Sequence, residues 1–169
     1  LGQQVTVKGA STLAGRITSK LGVPVPGLDE IGLGFLFPSA QRMAEADLTY
    51  MGVPRARAHA LQSFARAVVD GSLDLYDARE LPELISNLRR LPGIGPWTAN
   101  MLAMRVFGHM DAFPLGDMGL RKAAAELVGV ESLSDKSLEE MSRNWMPWRS
   151  LAFNYLLRPL PEPTPIGTR

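Results

Sequence analysis

The 169-residue sequence contains no cysteine. That excludes disulfides, thiolate clusters and zinc fingers of the cysteine type. Histidine is nearly absent as well. His59 and His109 stand far apart with no carboxylate at ligand spacing, so a catalytic metal held by side chains is not expected. No apolar run reaches the length needed to span a membrane, and no stretch reads as a signal peptide. An excess of one charge is also missing: 18 basic residues face 17 acidic ones, for a net charge of +1. This excludes a broad cationic footprint for a polyanion, but not binding through backbone amides and a few arginines. What remains is an ordinary globular composition, 46% hydrophobic and 21% charged, long enough for one domain or two small lobes.

The most informative segment that is present is Leu91-Pro-Gly-Ile-Gly-Pro-Trp-Thr-Ala-Asn100. A helix expected over 81–90 leads into it, and a second opens at Pro96, where a first-turn proline is well placed. Ala99, Leu102, Ala103 and Val106 recur at helical spacing, so the second helix is expected to bury that face. Gly93 and Gly95 permit positive φ and a close approach of the backbone to something outside. Backbone N–H groups at such a helix start form a natural anion site, suited to a phosphodiester backbone without base recognition. The same residues also fit a plain turn between two helices.

After Phe107-Gly108 comes a loop, 109–116, and then Asp117-Met-Gly-Leu-Arg-Lys122 opens another helix. Leu120, Ala123, Ala124 and Leu127 give it an apolar stripe, and Gly129 ends it. Asp117 reads either as an ordinary N-cap or as a carboxylate at the mouth of a cleft beside the hairpin. Asp111, in the same loop, is its nearest competitor. Arg89, Arg90, Arg105, Arg121 and Lys122 lie around these segments, although each alone fits a solvated helix face.

The rest of the pattern is all-α. Helices are expected over 3–20, 39–46, 54–69, 135–144 and 147–158, with residues 22–38 as a Pro- and Gly-rich loop. In the helix over 54–69, Ala58, Leu61, Ala65 and Val68 share one face. In the last, Trp148, Leu151, Ala152 and Tyr155 form the stripe. Residues 159–169 are proline-punctuated and read as a flexible tail.

Leu91–Asn100, followed by Gly116-Asp117, resembles the helix-hairpin-helix (HhH-GPD) DNA glycosylase superfamily. Three further stretches are similar to its bacterial 3-methyladenine DNA glycosylase II branch: Leu1-Gly-Gln-Gln-Val5, Phe37–Arg42 with Met51–Arg57, and Trp145–Ser150. The likeness spans residues 1–158. It implies a two-lobed all-α fold with a cleft: residues 22–113 form one lobe, with the helix-hairpin-helix at about 81–107, and 1–21 plus 114–158 form the other. It further implies that the family's amino-terminal β domain is absent from this chain, and that fused domains are compatible with it.

The implied activity is monofunctional hydrolysis of the N-glycosidic bond of alkylated purines, such as 3-methyladenine and 7-methylguanine, flipped out of duplex DNA in base excision repair. Asp117 matches the catalytic aspartate. Trp97 stands where bifunctional relatives carry a lysine, so no Schiff base and no lyase step are expected. Trp97 and Trp148 match pocket aromatics, each with packing in the core as its plain alternative. Gln3, Met101 and Met118 complete the base pocket, the two methionines replacing tyrosines. Gln4 occupies the place of an apolar wedge in the duplex, a departure from the pattern. Gly93, Ile94, Gly95 and Thr98 match the backbone-binding hairpin, and the carbonyls of Leu91 and Ile94 match a monovalent cation site. No cofactor is implied, and the four-cysteine iron–sulfur cluster of some relatives is impossible here. The expected partner is double-stranded DNA with damaged bases, bound by a monomer in the bacterial cytoplasm at the nucleoid. The alternatives are a glycosylase for another damaged base and a helix-hairpin-helix module that only binds DNA.

Overall fold

The computed structural model describes residues 6–76 and 80–158. Gln3, Gln4 and the tail 159–169 lie outside the described residues. Among those described, eight α-helices carry the fold, joined by three 3-10 turns and one minimal hairpin of strands. None of the helices is long and apolar enough to cross a membrane.

Side-chain caps set four of the eight helix starts. Thr6 accepts the Gly9 N–H at 3.1 Å and caps α1 (Val7–Leu21). Ser39 caps α2 (Ala40–Glu45) in the same way. Between them, the stretch 22–38 is not wholly irregular. Val23–Pro24 (β1) pairs antiparallel with Phe35–Leu36 (β2) around a 3-10 turn at Asp29–Ile31. Both strands are exposed, so no buried face imprints an alternating pattern on their residues.

The central element is α3 (Arg55–Val69), whose Ala58 and Ala65 are buried with Leu61 and Val68 partly so, as the periodicity predicts. It stands between two apolar clusters. In the first, Ile17 of α1 is wholly buried with Met43, Ala44, Leu48, Val53, Ala58 and Ala65. The first helix therefore packs on its neighbours in sequence. Leu13, Ile17 and Leu21, one turn apart, form the stripe that turns it this way.

The second cluster begins at Ala67 of α3. It runs through α4 (Leu81–Arg89), α5 (Pro96–Arg105), α6 (Met118–Val128) and α7 (Asp135–Ser142) to α8 (Arg149–Leu156). Leu84, Leu88, Ala99, Ala103, Phe113, Leu120, Leu138 and Phe153 are among its members, which lie on both sides of position 113.

Several apolar positions face elsewhere than expected. Leu127 is 65% exposed, because α6 turns Leu120, Ala124 and Ala125 inward. Val106 is exposed at the C-cap of α5, where the helix has ended. In α8 the stripe Trp148, Leu151 and Tyr155 lies outside, while Ser150 and Phe153 are buried. The reason is chemical: the inward face of α8 includes a serine with hydrogen-bond partners, which a count of apolar residues overlooks.

Candidate active site

The hairpin forms as its residues predict, but its two glycines do different things. Gly93 has φ +75° and faces inward: a Cβ there would lie 2.6 Å from the Ala60 Cβ of α3. Positive φ and contact with a neighbouring helix both require glycine at this position. Gly95 is extended, with φ −84°, so it needs no left-handed conformation. Nothing lies within 4 Å of the place its Cβ would take. It is the N-cap of α5, no side chain caps that helix, and Pro96 follows. The open outer face is therefore at Gly95, and a helix start of this kind can meet an anion with backbone N–H groups.

Asp117 proves to be an N-cap and more. Its Oδ1 accepts the Leu120 N–H of α6 at 2.9 Å. Its Oδ2 accepts the indole Nε1–H of Trp97 at 3.0 Å. One carboxylate thus ties the first turn of α6 to the first turn of the hairpin helix, and both oxygens have a defined donor. The two readings of Asp117 do not compete: the cap orients a half-buried carboxylate.

The loop 109–117 leading to Asp117 is held along its length. From α5, the Ala103 carbonyl accepts the His109 N–H at 2.9 Å, and Asn100 Oδ1 accepts the Phe113 N–H at 3.1 Å. From α8, Arg149 donates Nε–H to Asp111 Oδ1 at 2.7 Å and Nη2–H to Oδ2 at 2.6 Å. Ser150 donates its N–H to the Met110 carbonyl at 2.8 Å, and its hydroxyl lies 2.7 Å from the carbonyls of both His109 and Ala112. Phe113 packs edge-on against Trp145, with centroids 5.9 Å apart. Asp111, the competing carboxylate, is thus engaged at both oxygens by Arg149. Sequence reasoning gave no role to Asn100, Arg149 or Ser150; the partners of Arg149 and Ser150 lie about 40 positions away along the chain, where no spacing rule applies.

Trp97 also lines a groove of about 440 Å³ between α3 and α5. Leu61 and Phe64 form one wall. Ile94, Thr98, Met101 and Leu102 form the other, with Arg57 and Arg105 among the lining residues. The groove brings together Trp97, Met101, Gly93, Ile94 and Thr98 from the expected site. Its lining does not include Asp117, which reaches it only through the Trp97 indole, nor Gly95, nor Trp148 and Met118, which are 54% and 76% exposed; Met118 follows Asp117 directly as the first residue of α6. Trp148 therefore neither packs in the core nor joins this groove. Of the five expected surface cations, Arg121 and Lys122 are drawn to Asp135 at 3.4 Å and Glu126 at 3.9 Å, while Arg89, Arg90 and Arg105 are exposed.

Among the described residues no three His, Asp or Glu side chains gather in a way that could hold a metal ion. The Leu91 carbonyl accepts the Ile94 N–H at 3.2 Å, which leaves it one lone pair for the monovalent cation that the likeness implies.

Comparison with known proteins identifies the family. The model of the HhH-GPD superfamily of base excision DNA repair proteins matches residues 1–148. A probable bifunctional transcriptional activator/DNA repair enzyme AlkA of Mycobacterium tuberculosis is 41% identical over 164 residues, covering 96% of this chain and 32% of that protein. DNA-3-methyladenine glycosylase 2 of Escherichia coli is 31% identical over 159 residues, covering 92% of this chain and 53% of that protein. The solved 3-methyladenine DNA-glycosylase of Archaeoglobus fulgidus superimposes with a TM-score of 0.78 at 25% identity, covering 92% of this chain and 53% of that one. The chain thus spans from about a third to just over half of the length of these relatives. A hairpin packed on α3 through Gly93, a carboxylate bonded to its second helix, and a family match over residues 1–148 lead to one conclusion: the chain belongs to the HhH-GPD superfamily of base excision DNA repair proteins.

Proposed function

We propose that the chain carries the base-releasing activity of a monofunctional DNA N-glycosylase that acts on alkylated purines. The observation that carries this reading is the Asp117 carboxylate, oriented by the Leu120 N–H and the Trp97 indole at the start of the hairpin helix. Cleavage of an N-glycosidic bond builds positive charge on the sugar, and an oriented carboxylate stabilises it or aids attack by water. The hairpin grips the phosphodiester backbone at the open face of Gly95. A monovalent cation on the Leu91 and Ile94 carbonyls would add a positive charge for a phosphate oxygen. With the backbone held, the damaged nucleotide rotates out of the stack.

The groove beside Trp97 and Met101 has the volume of a small-ligand pocket and largely apolar walls. An alkylated purine carries positive charge, gains from the face of an indole, and leaves readily without a strong general acid. Met118, next to Asp117, and Trp148 are exposed, and in this reading they complete the contact with the extruded nucleotide. The names of the relatives, 3-methyladenine glycosylases among them, support the same substrate class. Trp97 offers no amine, so the reaction ends with hydrolysis. Methionines at 101 and 118 favour a second reading, a glycosylase with a different range of damaged bases.

The test is to incubate the chain with duplex DNA treated with dimethyl sulfate and to resolve the freed bases and the strands. Release of 3-methyladenine with abasic but unbroken strands supports the reading. Bound DNA with no released base refutes it, and broken strands refute the monofunctional part.

A further inference from the structure

We propose that the Asp111–Arg149 ion pair, with Ser150 beside it, is a positioning clamp that sets Trp148 relative to Asp117. The inference rests on the reading of these two residues as parts of one site. Asp111 lies in the loop that ends at Asp117, and Arg149 directly follows Trp148, which is the N-cap residue of α8. Trp148 has no capping side-chain bond and is 54% exposed, so burial of its side chain alone does not fix its position. The Trp148 N–H donates to the Trp145 carbonyl at 2.6 Å, and the next turn of chain ties this point to the loop that carries Asp117. Both guanidinium bonds of Arg149 go to Asp111, and both polar groups of Ser150 go to the carbonyls of 109, 110 and 112.

The geometry is that of a rigid two-pronged contact. Two parallel N–H···O bonds at 2.7 and 2.6 Å define orientation as well as distance. Each side chain of the pair is only 21% exposed, so water competes weakly for it. Ser150 is buried at 4% exposure and adds its bonds on the same side of the loop. The other end of the loop is independently anchored, by Asn100 at Phe113 and by Trp97 at Asp117. The loop is therefore a strut between two helices: α5 holds it at His109, Phe113 and Asp117, and α8 holds it from His109 to Ala112, where the chain next to the tryptophan is fixed. Lysine in place of Arg149 would keep the charge and lose the fork.

The experiment uses protein labelled with 5-fluorotryptophan. Its three tryptophans give three fluorine resonances, assigned by changing each to phenylalanine in turn. Asp111→Asn and Arg149→Lys are expected to shift or broaden the Trp148 resonance, and to leave those of Trp97 and Trp145 in place. The exchanged pair D111R/R149D should bring the Trp148 resonance back toward its original position. In single-turnover base release on alkylated duplex, each single variant should lose about ten-fold or more in the excision rate at unchanged DNA affinity, with recovery in the exchanged pair. An unmoved Trp148 resonance in both single variants overturns the clamp. So does equal movement of all three resonances, which would mark a general loss of packing. The resonances are read without substrate, so an inactive parent protein would refute the proposed function and leave this test standing.

Discussion

Replacing Trp97 by phenylalanine removes one hydrogen bond from Asp117 and leaves the other. The lost bond is the Nε1–H···Oδ2 contact at 3.0 Å; the Leu120 N–H still caps through Oδ1. A hydrogen bond to a charged group is worth about 1.5–3 kcal/mol. If the carboxylate keeps that orientation while charge develops on the sugar, the excision step should slow by about ten- to hundred-fold. Stability should change less, because the cap persists: a loss of about 1 kcal/mol corresponds to about 2–4 °C in Tm for a chain of this size. The assay is single-turnover release of base from alkylated duplex, with DNA affinity measured separately. Phenylalanine also shortens a wall of the groove, so a benzothienyl analogue of tryptophan, which keeps the shape and lacks the N–H, belongs beside it. Excision within two-fold of the parent for both replacements would refute the claim that the indole orients the carboxylate.

Further outcomes follow from the packing. Gly93→Ala combines φ +75° with a Cβ 2.6 Å from that of Ala60. Strain and overpacking of about 1–2 kcal/mol each should lower Tm by about 4–16 °C, and A60G in the same chain should relieve only the steric part. Leu88→Ala, at a wholly buried position, should cost about 2–5 kcal/mol in urea unfolding, whereas Leu127→Ala, 65% exposed, should stay within about 0.5 kcal/mol. At acid pH, the Thr49 hydroxyl and N–H hold the Asp47 carboxyl below its ordinary value, and those of Ser72 do the same for Asp70. A carboxyl with a lowered folded value contributes stability above the ordinary carboxylate range and loses it as pH falls through the lowered value. D47N/D70N should therefore flatten the acid limb of a stability–pH curve.

The parts of the fold that were legible in the sequence are those written in local chemistry. The Pro96 helix start, the Asp117 cap and the Gly129 stop each depend on residues a few positions apart, and each stands where expected. Local reading fails where the partner is distant. Gly93 is explained by Ala60, and Arg149 by Asp111. The inward face of α8 carries a serine whose partners are carbonyls of another segment, so a count of apolar residues selected the exposed face. The hairpin of β1 and β2 left no mark because neither of its faces is buried. Within the site, Trp97 and Asp117 were singled out separately, but only the structure joins them through a hydrogen bond.

The central claim is that Asp117 performs chemistry beyond capping a helix, and Asp117→Asn separates these roles. Asparagine caps about as well as aspartate, so α6 should form and the duplex should still bind. The variant removes the negative charge proposed to stabilise the sugar cation, and with it the oxygen that accepts the Trp97 indole N–H. The measurement is single-turnover release of 3-methyladenine by parent and variant, with duplex affinity determined on the same preparations. The account predicts equal affinity and a loss of about hundred-fold or more in base release. Equal release by both proteins would contradict it and reduce Asp117 to a helix cap.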